Sequence, residues 1–130
     1  MNDLDLMYKE NILDHYKNPH NFGRMDNATV QHHEYNPLCG DEIDLFLVIK
    51  DDVVVDVKFF GKGCAISQAS ASMLTDKIKG KSLDYLKKIA NEEILEMLGI
   101  ELSPVRLKCA LLVLDTLKNG VRIYEGYVRK

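Results

Sequence analysis

The stretch that decides the fold is IDLFLVIKDDVVVDVKFFGKG, residues 43–63, in which apolar and polar residues alternate on either side of an acidic pair. Eight apolar residues fall on alternate positions: Ile43, Leu45, Leu47, Ile49, Val53, Val55, Val57 and Phe59. A period of two residues is typical of strands with one buried face, and Asp51-Asp52 supplies the turn of a β-hairpin. A further strand over residues 29–35 completes a predicted meander of three antiparallel strands.

The segments outside this sheet have the apolar spacing of helices. The first helix has Asn2 or Asp3 as its cap and ends at Asn18-Pro19. Four more are predicted: one that ends at Gly80, one capped by Ser82, one over residues 92–98, and one from Ser103 to Asn119-Gly120. Residues 121–130 are predicted to form a short strand or a frayed end. Strands grouped before helices indicate the α+β class, so we predict a single domain over residues 1–130, with helices packed on one face of a small three-stranded antiparallel sheet.

Composition excludes several classes of function. The chain has 130 residues and a formal net charge of -3, which argues against nucleic acid as a partner, because nucleic-acid binders present a basic face. No apolar run approaches the roughly 20 residues that span a membrane, and the N-terminus does not resemble a signal peptide. We therefore expect a cytoplasmic protein. Its three cysteines cannot form a closed disulfide framework, so free thiols or metal ligands are expected.

The cysteines fall where binding sites are usually built, at the ends of predicted elements. Cys39 lies between two strands, Cys64 lies between a strand and a helix, and Cys109 lies near the start of the last helix. A helix N-terminus and nearby cations lower the pKa of a thiol, so we predict that Cys64 and Cys109 favour the thiolate. Asp41 follows Cys39 by two residues and adds an oxygen ligand. Three sulfurs and a carboxylate suit Zn²⁺ or an iron–sulfur cluster, although their spacing matches no short metal-finger pattern.

Five stretches of the chain resemble one family. They are NPLCGD (36–41), GKGCAIS (61–67), RLKCA (106–110), ILDHYKNP (12–19) and ASASM (69–73). All five are similar to motifs of the IscU/SufU/NifU N-terminal family of iron–sulfur cluster assembly scaffolds. The resemblance implies an α+β fold and a metal site formed by Cys39, Asp41, Cys64 and Cys109. It also implies a cysteine desulfurase as sulfur donor, iron or a [2Fe–2S] cluster as cargo, and acceptor apoproteins.

The resemblance leaves two functions open. Lys108 directly precedes the third cysteine. IscU-type members have His at this position, whereas SufU-type members have Lys, as this chain does. Lys108 is a candidate for tuning the site. The chain lacks the insertion that SufU-type members carry before the third cysteine. Our first hypothesis is therefore a non-enzymatic scaffold for a labile [2Fe–2S] cluster, and the alternative is a zinc-dependent sulfurtransferase. The sulfur acceptor could be Cys64, Cys109 or Cys39. Residues 102–106 are similar to a chaperone-recognition motif but differ at Ser103 and Arg106, so an Hsp70-type chaperone remains an open partner.

Histidine chemistry offers one further interpretation. A Cys–His hydrolase needs a base next to its nucleophile, and no motif ties a histidine to Cys64. The four histidines are expected on the surface or in hydrogen bonds, and they are His15, His20, His32 and His33.

Overall fold

The structure is a computed structural model that describes the backbone of residues 3–128 and the side chains of residues 8–128. Its elements are α1 (Asp3–Lys17), β1 (Val30–Asn36), β2 (Asp41–Lys50), β3 (Val53–Lys62), α2 (Ala65–Ile78), α3 (Leu83–Lys88), α4 (Asn91–Leu98) and α5 (Pro104–Val128). This order confirms the predicted α+β class. The predicted cap at Asn2 lies outside the described residues, and Asp3 already belongs to α1.

The sheet is an antiparallel meander in the order β1-β2-β3. Asp51 and Asp52 form the predicted turn, and both have positive φ angles (52° and 60°), as tight hairpins require. The prediction that Val55 faces the core is wrong. Val48 pairs with Asp56 and Ile49 with Val54, so Val55 is an extra residue in β3. This bulge leaves Val55 43% exposed and buries Val54 instead, because an extra residue reverses the alternation of faces.

The helices pack against the sheet and around α2. The core joins side chains of the sheet to side chains of α2, α3, α4 and α5; its largest fully buried members include Ile43, Leu45, Leu47, Phe59, Leu74, Ile78, Leu114 and Leu117. The Ala/Ser-rich part of α2 is buried from Ser67 to Thr75. Small side chains let α1, α5 and β3 approach this helix from different sides. The N-terminal end of α2 is thereby fixed next to the end of the sheet.

The last helix differs from its prediction. α5 continues through Gly120 to Val128, and residues 121–128 form neither a strand nor a frayed end. Gly120 is a packing residue rather than a terminator, since a Cβ there would lie 3.1 Å from His32 Cβ and 3.3 Å from Val30 Cγ1. The missing side chain lets α5 cross β1 closely. Within residues 3–128, no helix is both long and apolar enough to cross a membrane.

Candidate cysteine and aspartate metal site

Four side chains singled out from the sequence lie at one end of the sheet. Cys39 lies in the turn between β1 and β2, Asp41 is the first residue of β2, and Cys64 is the N-cap of α2. Cys109 lies in the second turn of α5. Asn36 pairs with Asp41 and Glu42 pairs with Lys62, so the β1–β2 turn and the end of β3 are neighbours. The meander thus brings residues distant in sequence to a common edge.

Local hydrogen bonds shape the turn that carries Cys39. The side-chain oxygen of Asn36 accepts a hydrogen bond from the backbone N–H of Leu38 at 3.0 Å. The backbone carbonyl of Asn36 accepts one from the backbone N–H of Gly40 at 2.8 Å. Gly40 has a φ of +73°, which glycine adopts without strain. Asparagine, proline and glycine therefore suit this turn chemically. Cys39 is left partly exposed in the turn.

Asp41 is held against the start of α2. The backbone N–H of Cys64 donates to Asp41 Oδ1 at 3.0 Å, and the Cys64 thiol donates to Oδ2 at 3.4 Å. Gly63 makes this contact possible, because a Cβ at that position would lie 2.4 Å from Asp41 Oδ1 and 2.8 Å from Ser67 Oγ. The hydroxyl of Ser67 donates to the carbonyl of Cys64 at 3.2 Å. These bonds fix the carboxylate and Cys64 relative to each other.

The structure brings three of the four predicted ligands into one group. Cys39, Asp41 and Cys109 each offer a donor atom, and these atoms all lie within 4.8 Å of one another. The Cys39 and Cys109 sulfurs are only 2.9 Å apart. Cys64 is not a member of that group but adjoins it through its contacts with Asp41. All four residues thus occupy a single continuous site.

Asp41 is a buried carboxylate, with 1% of its surface exposed. Burial by itself opposes ionisation, but hydrogen bonds from the thiols of Cys39 and Cys109 and from the N–H and thiol of Cys64 outweigh it. The net result is a pKa of Asp41 below its ordinary value. The site therefore contains an ionised carboxylate surrounded by thiols.

The predicted thiolate preference is wrong for Cys109. Burial, a hydrogen bond with Cys39 and a hydrogen bond to Asp41 raise the pKa of the Cys109 thiol well above its ordinary value, and the charges of Cys64 and Asp41 add to the effect. A thiol buried beside a carboxylate keeps its proton unless a cation takes the proton's place. The position of Cys109 near the N-terminus of α5 does not offset this rise in its pKa.

Arg106, which lies one helical turn before Cys109, interacts with the sulfurs of the site. The charge of Cys64 and a hydrogen bond to its sulfur raise the pKa of the Arg106 guanidinium, with smaller contributions from Cys109 and Asp41. Lys108 is exposed and lines a surface cavity instead. Both Arg106 and Lys108 are cations that flank Cys109 in the sequence, and the spacing of three residues puts Arg106 on the same helix face as Cys109.

Two surface cavities flank the site. One, of about 430 Å³, lies beside the Cys39 turn and includes Tyr35, Leu38 and Lys108. The other, of about 310 Å³, lies beside Cys64 and includes Phe22 and Lys62 in its lining. Tyr35, Leu38 and Phe22 are exposed apolar side chains, so the surroundings of the site suit contact with another protein.

The histidines make hydrogen bonds, as predicted. His15 Nδ1 lies 2.7 Å from Ser72 Oγ, and the backbone N–H of His20 donates to the same hydroxyl at 2.8 Å. His32 contacts Glu34 and His33 contacts Asp44, both at 2.8 Å. Over the described side chains, no histidine joins the group of metal-ligating atoms.

A single α+β unit whose sheet end gathers three thiols and a buried carboxylate has the donor set of a thiolate metal site. Comparison with known proteins then gives the family. The sequence profile of the NifU-like N terminal domain matches residues 7–130, and the chain belongs to that family. The resemblance found in the sequence is thereby confirmed.

Individual relatives carry two kinds of name. The chain is 39% identical to the zinc-dependent sulfurtransferase SufU of Bacillus subtilis, a match that covers 95% of each protein. It is 36% identical to the iron–sulfur cluster assembly scaffold protein IscU of Escherichia coli K12, over 93% of this chain and 96% of that protein. A proposed SUF-system scaffold from Fervidobacterium islandicum has a similar crystal structure, with a TM-score of 0.79 and 32% identity over 89% of this chain and 97% of that one.

Proposed function

We propose that this protein is an iron–sulfur cluster assembly scaffold. It receives sulfur from a cysteine desulfurase, binds iron, and holds a labile [2Fe–2S] cluster on Cys39, Asp41, Cys64 and Cys109 until an acceptor apoprotein takes it. The observation that carries the proposal is the convergence of three thiols on one buried carboxylate at the end of the sheet. As a scaffold the chain is not an enzyme. We place it in the cytoplasm, where reducing conditions keep thiols free.

Asp41 makes this site suitable for temporary binding. Thiolate sulfur is the preferred ligand of iron–sulfur clusters, whereas a carboxylate is a harder and more exchangeable ligand. The chain keeps this oxygen in place through Gly63 and the N–H of Cys64. A cluster held by three sulfurs and one oxygen leaves more readily than one held by four sulfurs.

Cys39 is the best placed of the three thiols to accept sulfur. Cys109 is fully buried, and Cys64 is fixed as the N-cap of α2, where both its backbone N–H and its thiol bond to Asp41. Cys39 lies in a turn and is partly exposed. Its thiolate attacks the outer sulfur of the desulfurase persulfide, the sulfur–sulfur bond of the donor breaks, and the desulfurase cysteine leaves as a thiolate.

The cavity beside the Cys39 turn is the proposed contact for the desulfurase. Leu38 directly precedes the acceptor thiol in sequence and Tyr35 lies four residues before it, and the two are 63% and 56% exposed. Apolar side chains around a reactive group bind a partner surface and exclude water. Residues 102–106 precede and begin α5, and Val105 there is 51% exposed. Recognition of this segment by an Hsp70-type chaperone remains a prediction.

A second candidate, a zinc-dependent sulfurtransferase, uses the same residues. It is favoured by Lys108 in the SufU-type position and by the 39% identity to the Bacillus subtilis SufU. Three thiols and one carboxylate fit the four-ligand preference of Zn²⁺. When bound, the ion would stabilise the thiolate forms of its ligands. Arg106 lies beside Cys64 and supplies positive charge, and Cys39 accepts the sulfur.

Metal content and cluster transfer separate the two functions. The protein is purified anaerobically, analysed for zinc and iron, and then incubated with ferrous iron, L-cysteine and a desulfurase while visible absorption is recorded. A cluster that passes to apo-ferredoxin supports the scaffold. Retained zinc, strong stimulation of the desulfurase and no cluster support the sulfurtransferase. If the protein forms no cluster and does not stimulate the desulfurase, both functions are refuted. A Cys39→Ser variant should lose desulfurase-dependent sulfur uptake, whereas Lys50→Ala, an exposed residue at the opposite end of β2, should retain it.

A further inference from the structure

The Cys39 and Cys109 sulfurs can bond to each other as well as to a metal. They lie 2.9 Å apart, and a disulfide holds its sulfurs at about 2.0 Å, so bonding requires an approach of about 1 Å. Cys39 lies in the partly exposed turn between β1 and β2, outside both strands, and the neighbouring Gly40 has open space around its Cα. A small shift of an exposed turn is therefore sufficient.

Cys64 is a poorer partner for either sulfur. Its backbone N–H and its thiol both bond to Asp41, at 3.0 and 3.4 Å, and it caps the first turn of α2. Its sulfur also lies outside the group of atoms that are all within 4.8 Å of one another. Disulfide formation is thus specific to one of the three possible pairs.

We propose that the metal-free site is a redox switch, in which a peroxide converts Cys39 and Cys109 to a disulfide that a dithiol reverses. The proposal concerns regulation of the site described under Proposed function and rests on that function for its biological role. A bound metal occupies both sulfurs and prevents oxidation. The disulfide in turn removes two of the four ligands and the exposed sulfur acceptor. Loaded and oxidised states are therefore mutually exclusive.

The chemistry balances with hydrogen peroxide as the oxidant. The Cys39 thiolate attacks one peroxide oxygen, the oxygen–oxygen bond breaks, and the released hydroxide becomes water; Cys39 is left as a sulfenic acid. The Cys109 sulfur then attacks the Cys39 sulfur, and its proton leaves with the hydroxyl group as a second water. Two thiols have lost two electrons, and the peroxide has gained them. A dithiol such as dithiothreitol restores both thiols through two exchange steps.

The oxidised form should stay folded. The two cysteines are 70 residues apart in sequence, and cross-linking distant residues restricts the unfolded chain more than the folded one. The oxidised, metal-free protein is therefore expected to remain folded until a dithiol reduces it. Oxidation should raise the midpoint of thermal unfolding above that of the reduced, metal-free protein.

The test uses full-length protein stripped of metal with a chelator under reducing conditions and then treated with hydrogen peroxide. Alkylation followed by peptide mapping counts free thiols and identifies linked peptides. In the wild type, free thiols should fall from three to one, with Cys39 linked to Cys109. Cys64→Ser should form the same link, and Cys109→Ser should form none. Prior loading with Zn²⁺ should protect every thiol, and dithiothreitol should restore them.

Two results would overturn the proposal: a link that involves Cys64 in the wild type, or peroxide oxidation of Cys39 with no link. Circular dichroism shows whether Cys109→Ser folds, and the wild type and Cys64→Ser decide the question if it does not. Metal binding and desulfurase stimulation by the reduced protein are measured separately. Their failure would refute the proposed function and leave the disulfide result unaffected.

Discussion

Replacing Gly63 by alanine tests whether the site depends on close approach of the backbone to Asp41. The added Cβ would lie 2.4 Å from Asp41 Oδ1 and 2.8 Å from Ser67 Oγ, so the carboxylate has to move. Its hydrogen bond from the N–H of Cys64, now 3.0 Å, is then lost or lengthened. Gly63 also has a φ of +154°, a conformation that alanine rarely adopts.

The two effects set the expected size. Backbone strain at such a position costs of order 1–3 kcal/mol, and a hydrogen bond to a charged group contributes about 1.5–3 kcal/mol. Gly63→Ala should therefore lower the free energy of unfolding by about 2.5–6 kcal/mol and weaken zinc binding at least tenfold. Urea unfolding measures the first quantity, and competition with a chromophoric chelator measures the second.

Gly80→Ala is the matched control. Gly80 also has a positive φ, +85°, but its Cβ would meet no atom within 4 Å, and it lies at the far end of α2. It should lose stability from backbone strain alone, about 1–2 kcal/mol, and bind zinc normally. The reasoning is refuted if folded Gly63→Ala binds zinc as tightly as Gly80→Ala does.

Four further changes have defined outcomes. Asp41→Ala should hold a reconstituted cluster longer and transfer it more slowly to apo-ferredoxin; complete loss of the cluster would mean that the carboxylate is indispensable. Cys64→Ser should abolish metal binding, and an unchanged zinc or iron stoichiometry would contradict its role as a ligand. Burial lowers the pKa of His15 in the folded protein, so as the pH drops through about 6.5 the unfolded chain binds a proton before the folded one does, and the free energy of unfolding should fall. In urea titrations at several pH values, His15→Gln should reduce this dependence of stability on pH. An unchanged dependence would exclude His15 as its cause. Val54→Ala should cost about 2 kcal/mol and Val55→Ala less than about 0.5 kcal/mol; equal losses would contradict the bulge.

The fold was largely predictable, because its strands and turns are encoded locally. Alternating apolar residues, the Asp51-Asp52 turn and the Ser82 cap each predict an element that the structure contains. The fold prediction has two errors, the orientation of Val55 and the end of α5, and the second arises from tertiary packing. Asn119-Gly120 is typical of the end of a helix, but in this structure the absence of a side chain on Gly120 allows α5 to pack closely against β1. No local pattern distinguishes a glycine that ends a helix from one that packs closely.

The sequence predicted which of the candidate side chains lie near one another, but not their electrostatics. The positions of Cys39, Cys64 and Cys109 at element ends indicated a shared site, and the structure places them together. Rules for an exposed helix start predicted a lowered pKa for the Cys109 thiol. Burial reverses that prediction, and burial depends on how α5 packs against the rest of the chain. Sequence patterns give the donors of a site more readily than the dielectric around them.

The hydrogen bonds around Asp41 link the stability of this carboxylate's charge to the metal binding that we propose. Without metal, the backbone N–H and the thiol of Cys64 donate to Asp41, and the neighbouring protonated thiols of Cys39 and Cys109 help to stabilise its buried charge. Metal binding requires thiolates, which cannot donate, so the carboxylate would lose these partners if a metal entered. A buried carboxylate beside three thiolates is costly unless a cation compensates it. Under the proposed function, coordination of a metal by Asp41 would supply that compensation, and the charge of Arg106 would add to it. Release of the metal would reverse the exchange, since returning protons would restore the thiol donors. The same carboxylate would therefore be stabilised by metal in the loaded state and by thiols in the empty state.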